Sequence, residues 1–218
     1  MNIFQEMTAK SWMSDQGTVD NLYAGSATLG VQKKLALRVF LAVVSVLFVL
    51  LVVAYGGRMA YDDWRPVPQL RLLWANSLIL ILSSIALQSA RYCVRREQLD
   101  AMRVALLAGG AFTVVFLFGQ LLAWRQLAAM QQFDIRNPAI GFFYLITALH
   151  GLHLLGGLVA WGRVVVKVWG RFELAKIKQS VALCAVYWHY LLLIWLVLVS
   201  LLFTGNNFEI FLQICGIR

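Results

Sequence analysis

The sequence predicts an all-α integral membrane protein, a bundle of five transmembrane helices with its N-terminus cytoplasmic and its C-terminus periplasmic. Three observations lead there. Of 218 residues, 61% are hydrophobic and only 13% are charged, against roughly 45–50% and about 25% in soluble domains. Five apolar stretches reach the ~20 residues that cross a bilayer. The basic residues that make the net charge +9 flank those stretches instead of forming a stripe with interleaved aromatics. That distribution fits topology determinants and lipid-headgroup contacts, and it argues against a nucleic-acid partner.

The spans fall at roughly 35–55, 70–90, 103–124, 139–161 and 181–204. Helix breakers or charges separate them: Gly56–Gly57, the "RPVP" of 65–68, the "RREQLD" of 95–100, the "RNP" of 136–138 and the charged segment 162–180. Residues 1–34 carry Glu6, Asp15 and Asp20 without a continuous apolar core, which reads as a polar cytoplasmic arm and not a signal peptide. Residues 35–204 form the membrane domain, and 205–218 a short periplasmic-side tail. Counting Lys and Arg puts 13 on the side of the arm, the second-to-third loop and the fourth-to-fifth loop, against 6 on the other. The richer side faces the cytoplasm. Trp64, Trp74, Trp124, Trp161 and Trp169 fall near span ends, as an interfacial aromatic belt requires.

Cys93, Cys184 and Cys215 are far apart in sequence and carry no disulfide or zinc spacing. No Asp or Glu lies inside any of the five stretches. Intramembrane proton and ion pathways are usually built from such carboxylates, so a pathway wholly within this chain is not expected. What remains in the spans is hydroxyl, amide and imidazole. Asn76, Ser83 and Ser84 read as interhelical packing groups.

His150 and His153 are three residues apart and share one face of the fourth helix. His189 lies at a comparable depth in the fifth, so His153 and His189 are candidates to face each other. Three roles stay open on the residues alone: polar pins or lipid contacts, axial haem ligands, or proton carriers. Gly151, Gly156 and Gly157, with Ala160 four residues beyond Gly156, suit close helix approach, which leaves no room for a porphyrin on that face.

"GFFYLITALHGLHLLGGLVAW" (141–161) resembles the signature helix of subunit III of the haem-copper terminal oxidases, written F-x-x-x-T-x-x-H-G-x-H-x-x-x-G. "AVYWHYLLLIWLVLVSLLF" (185–203) is similar to the last helix of that family, with its W-H-F-x-x-x-x-W pattern. "LLWANSLILILSS" (72–84) resembles its N-(T/S)-x-x-L-L-x-S-(S/G) helix, and "GQLLAW" (119–124) stands in the place of its Q-x-x-E-(Y/W) helix end. The match runs in order over roughly 35–204 and corresponds to the short, five-helix bacterial form.

The resemblance implies a non-catalytic subunit of an enzyme complex that reduces oxygen, either a cytochrome c or a quinol oxidase. Such a subunit packs directly on subunit I, with subunit II in the same complex, and supports stability, proton uptake and the lipid environment. It implies no catalytic, cofactor or metal residue in this chain, haem and copper in partner subunits, and bound phospholipid. His150, His153, His189, Asn76 and Gln120 carry over as polar packing or lipid-contact positions, and Gly151, Gly156 and Gly157 as close-packing positions. Three family acids are replaced by apolar residues, at or near Val44, at Ala123 and at Leu192. Two alternatives remain: an accessory subunit of a nitric oxide reductase, and a bis-histidine b-type cytochrome using His153 and His189.

Overall fold

In the computed structural model the described residues are 12–61, 63–65, 67–68, 70–130, 137–170 and 173–204, with side chains described from residue 31 to residue 202. The first eleven residues and the expected tail at 205–218, with Cys215, lie outside them. Five helices follow in order: α1 Trp12–Arg58, α2 Arg71–Arg95, α3 Leu99–Met130, α4 Pro138–Trp169 and α5 Leu174–Thr204. Each has a segment long and apolar enough to cross a membrane, and no strand occurs among the described residues. The five-helix membrane fold is the one the sequence predicts. α1 starts at Trp12, well before its apolar stretch at 35, and the other helices outrun theirs by up to 8 residues, because charged residues extend a helix past the hydrocarbon while hydropathy ends at it.

The chain divides into two units, Met1–Phe40 and Leu41–Arg218. In the first, helix begins at Trp12, so much of the expected polar arm is helical. The second holds the core. There α2, α3, α4 and α5 pack in a ring in which each touches the next, and α2 closes onto α5. The membrane segment of α1 is the least buried of the five. It meets the others through long side chains: Phe48 against His150 and His153 (ring centroids 6.4 and 5.5 Å), Tyr55 against Phe142 (5.8 Å), and Ser45 Oγ with the Tyr190 hydroxyl (2.8 Å).

The ends are set by local chemistry. Asn137 caps α4: its Oδ1 accepts from Ala139 N (3.1 Å), and Pro138 takes the first helical position, where a missing N–H costs nothing. The same amide donates through Nδ2 to Arg65 O (2.8 Å), tying the α1–α2 loop to the start of α4. At the other end of the bundle, Glu97 takes φ 62° in the α2–α3 turn. There Gln98 N donates to Cys93 O (3.0 Å), a left-handed C-terminal turn of the kind glycine usually supplies. Glu97 also accepts from Lys178 Nζ of α5 (3.0 Å), so its side chain links two turns at that end.

Candidate functional site

The interior of the ring is held by indole and hydroxyl groups. Trp188 Nε1 donates to Thr113 Oγ1 (2.9 Å), and Thr113 Oγ1 lies 2.8 Å from Ser83 Oγ. Ser83 Oγ and Thr113 Oγ1 also lie 2.8 and 2.9 Å from Gly109 O. A second indole, Trp195 Nε1, donates to Ser77 Oγ (3.0 Å), whose hydroxyl returns to Leu73 O (2.8 Å). On the α3–α4 seam, Trp124 Nε1 donates to Thr147 Oγ1 (3.0 Å) and Trp161 Nε1 to Leu106 O (2.9 Å). Each bond removes a polar group from contact with hydrocarbon, where an unmet donor is expensive.

Trp188 and Trp195 are the two tryptophans of the last-helix pattern, but that resemblance assigns them no role as interior donors. They are one heptad apart on α5 and therefore share the inward face. That mid-span position, away from the interfaces, is the signal that could have marked them as interior donors. Asn137 was likewise read only as part of a helix breaker.

Asn76 and Gln120 meet across the α2–α3 seam, with Asn76 Nδ2 3.5 Å from Gln120 Oε1. The contact is long. Gln120 Nε2 is buried without a hydrogen-bond partner among the described residues. Gly119 makes room for Asn76: a Cβ there would stand 2.1 Å from Asn76 Oδ1.

The three histidines occupy three different environments. His150 is fully buried, and neither ring nitrogen has a hydrogen-bond partner among the described residues. Its neighbours are rings: Trp195 at 5.1 Å, Phe116 at 6.2 Å and Phe48 at 6.4 Å between centroids. His153 Nδ1 lies 2.7 Å from Leu149 O, and its ring rests on Phe48. His189 Nδ1 lies 2.8 Å from Ala185 O and 3.2 Å from Ser84 Oγ of α2. The rings of His153 and His189 thus engage different helices, α1 and α2. Among the described residues no three His, Cys, Asp or Glu side chains cluster as metal ligands do.

The glycines differ as well. Gly157 is the tight one: a Cβ there would stand 2.7 Å from Tyr187 Cε1, and Tyr187 donates its hydroxyl to His153 O (2.9 Å). At Gly151 the nearest such contact is Leu117 at 4.0 Å, and at Gly156 nothing lies within 4 Å. Gly156 is exposed and lies on an open side of α4 among the described residues. Within the chain, Gly109 and Gly110 of α3 make the approach expected of the α4 glycines, against Leu87 and the Trp161 ring. Of the positions where family acids are replaced, Val44 and Ala123 are buried and Leu192 is half-buried. Apolar side chains there need no partner.

The cytochrome c oxidase subunit III family model matches residues 1–206. The chain belongs to the cytochrome c oxidase subunit III family. Among its relatives, "Cytochrome c oxidase subunit 3" of Thermostichus vulcanus is 29% identical over 184 residues, covering 80% of this chain and 88% of the relative. "Probable cytochrome c oxidase subunit 3" of Mycobacterium bovis is 30% identical over 149 residues, 66% of this chain and 72% of the relative. "Cytochrome bo(3) ubiquinol oxidase subunit 3" of Buchnera aphidicola is 24% identical over 149 residues, 65% and 76%. These relatives are bacterial, and five apolar helices make this family member a multi-pass protein of the bacterial inner membrane. As a subunit III it belongs to a complex with other oxidase subunits. The resemblance read from the "HGLH" helix and the last helix is thereby established over nearly the whole chain.

Proposed function

We propose that this chain is a non-catalytic subunit that packs directly on subunit I of an oxygen-reducing oxidase, alongside subunit II. In that role it prolongs the working life of the catalytic subunit, supports proton uptake and holds phospholipid, while haem and copper reside in the partner subunits. Its N-terminus is cytoplasmic and its C-terminus periplasmic. The observation that carries this reading is the closure of the interior. Trp188, Thr113 and Ser83, and then Trp195 and Ser77, satisfy one another, and the one fully buried histidine is boxed by three aromatic rings. An interior built this way is suited to hold shape. No Asp or Glu lies in the five apolar stretches to relay a proton across this chain.

Deleting the subunit from the assembled oxidase tests the reading. The haem and copper absorption bands should persist, while assembly yield falls and activity decays faster during turnover. Loss of a haem band from an otherwise assembled complex would sink it. A single cysteine placed within 162–180 should react with an impermeant thiol reagent only after lysis, and labelling from outside intact spheroplasts would reverse the orientation.

A further inference from the structure

Halfway along α5, His189 sits on the outside of the ring, exposed, with apolar side chains around it. Its Nδ1 is 2.8 Å from the Ala185 carbonyl oxygen. A carbonyl oxygen only accepts, so Nδ1 carries the proton, and it shares that proton with Ser84 Oγ at 3.2 Å. Nε2 is then a bare acceptor. Imidazole geometry turns it away from Nδ1, and it has no partner among the described residues.

The neighbouring face of α2 continues the polarity. Ser84, Gln88 and Arg91 are spaced i, i+4, i+7 and lie on one side of that helix. Gln88 is exposed and makes no side-chain hydrogen bond among the described residues. Arg91 is half-buried, its Nε has no partner, and no described carboxylate pairs with it. The contacts Ser77–Trp195, Ser84–His189 and Glu97–Lys178 show that α2 and α5 run antiparallel. The polar strip therefore climbs the α2–α5 groove from mid-membrane toward the basic end. Leu82, Ile85, Val186 and Leu193 flank it, all exposed.

Polar side chains in a membrane span face a protein interior, a cavity or another helix, because bare hydrocarbon offers them nothing. An acyl chain has no donor for Nε2. A lipid headgroup sits about 15 Å from the midplane of a ~30 Å core, so it reaches the Arg91 end of the strip and not His189. We propose that the α2–α5 groove, centred on His189 Nε2 and continued by Gln88 and Arg91, receives a transmembrane helix of another oxidase subunit. That helix presents a hydroxyl, indole or amide N–H to His189 and an oxygen acceptor at the level of Arg91. This rests on the reading of the chain as a packed subunit of the complex and names the face through which it packs.

The intact oxidase, with all its subunits, tests the assignment. A photo-reactive benzoylphenylalanine at Ile85 or Val186 should crosslink to a peptide of another oxidase subunit. Crosslinks only to lipid, only to a second copy of this chain, or none in the assembled complex would overturn the proposal. His189→Leu should lower the amount of this chain retained through detergent washing by five- to tenfold. Ser84→Ala, which removes the intrachain contact and leaves Nε2 in place, should retain most of it. Equal loss in both would assign His189 an intrachain role and refute the docking surface. If the chain co-purifies but its crosslinks miss the other subunits, the docking face fails and the subunit reading stands. If the chain never co-purifies with an oxidase, both fail.

Discussion

The side-chain oxygen of Asn76 lies over the backbone of Gly119, 2.1 Å from where a β-carbon on that glycine would stand. The amide of Asn76 is buried, with Gln120 as its long-range side-chain partner at 3.5 Å among the described residues. Gly119→Ala forces the amide out of its place, and overpacking of this kind costs about 1–3 kcal/mol. Thermal unfolding of the intact complex in detergent should show that loss. Gly156→Ala, with nothing within 4 Å, should stay within about 0.5 kcal/mol of the parent, as open surface changes do. If the two glycines respond alike, the close approach of α2 to Gly119 is wrong.

Thr113 serves both Trp188 and Ser83 through one hydroxyl. Thr113→Val keeps the shape and strands the buried indole N–H, at a cost of about 1–3 kcal/mol. Trp188→Phe in the same background removes the stranded donor. The double variant should therefore be destabilised by less than the sum of the two singles, and a strictly additive double-mutant cycle would show the two side chains to be independent.

Asn137 works at two places, as the cap of α4 and as a tie to Arg65 O. Asn137→Asp keeps the oxygen that caps Ala139 N and loses the Nδ2 donor. Asn137→Ala loses both, with a cap alone worth about 1 kcal/mol. The expected order of detergent stability is parent, then Asp, then Ala. Asp below Ala would contradict the capping role.

The helices were legible because hydropathy and breakers act locally: five apolar stretches between "GG", "RPVP", "RREQLD", "RNP" and 162–180 became α1 to α5. Asn76 and Gln120 were legible as interior groups because a mid-span amide finds partners only between helices, whereas Gln88, nearer the end of its span, lies exposed. Which glycine a neighbour approaches was not legible. Gly109, Gly110 and Gly119 do the work expected of Gly151 and Gly156, because close approach depends on helix rotation, and a glycine-rich stretch fits more than one rotation. His153 and His189 matched in depth, but depth does not fix which way a ring turns. That is set by Leu149 O and Phe48 for one, and by Ala185 O and Ser84 for the other.

Two loop carboxylates give a pH dependence of fixed sign. Hydrogen bonds from the Arg58 guanidinium to Asp63, one of them 2.8 Å, hold that carboxyl below its ordinary range. Lys176 Nζ, 2.9 Å away, does the same for Glu173. A lowered folded-state pKa means the stabilisation is complete above the ordinary carboxylate value and is lost as pH falls through the folded one. Stability should therefore be insensitive to these pairs between pH 5 and 8 and decline only in the acid range below about pH 4. Both carboxylates are exposed, so Asp63→Asn should change the midpoint at pH 7 only slightly. A large fall at neutral pH would indicate a buried role that the loop does not provide.

His150 separates the sequence expectation from the structure most sharply. As a polar pin it would have a partner, and glutamine would replace it better than any apolar residue. Instead Trp195, Phe116 and Phe48 surround it, and both ring nitrogens go without a hydrogen bond among the described residues. A neutral imidazole always carries one donor and one acceptor, so the native residue bears the cost of burying both. His150→Phe keeps an aromatic ring against three others and removes that cost. Its extra bulk offsets part of the gain, so the variant should match the parent within about 1 kcal/mol or exceed it. His150→Gln loses the ring contacts, keeps the unmet polar atoms and should be the less stable of the two. Thermal unfolding of the purified complex, read with the absorption spectrum unchanged, decides between them. A loss above about 2 kcal/mol for phenylalanine that glutamine restores would return His150 to the role of a hydrogen-bonded pin.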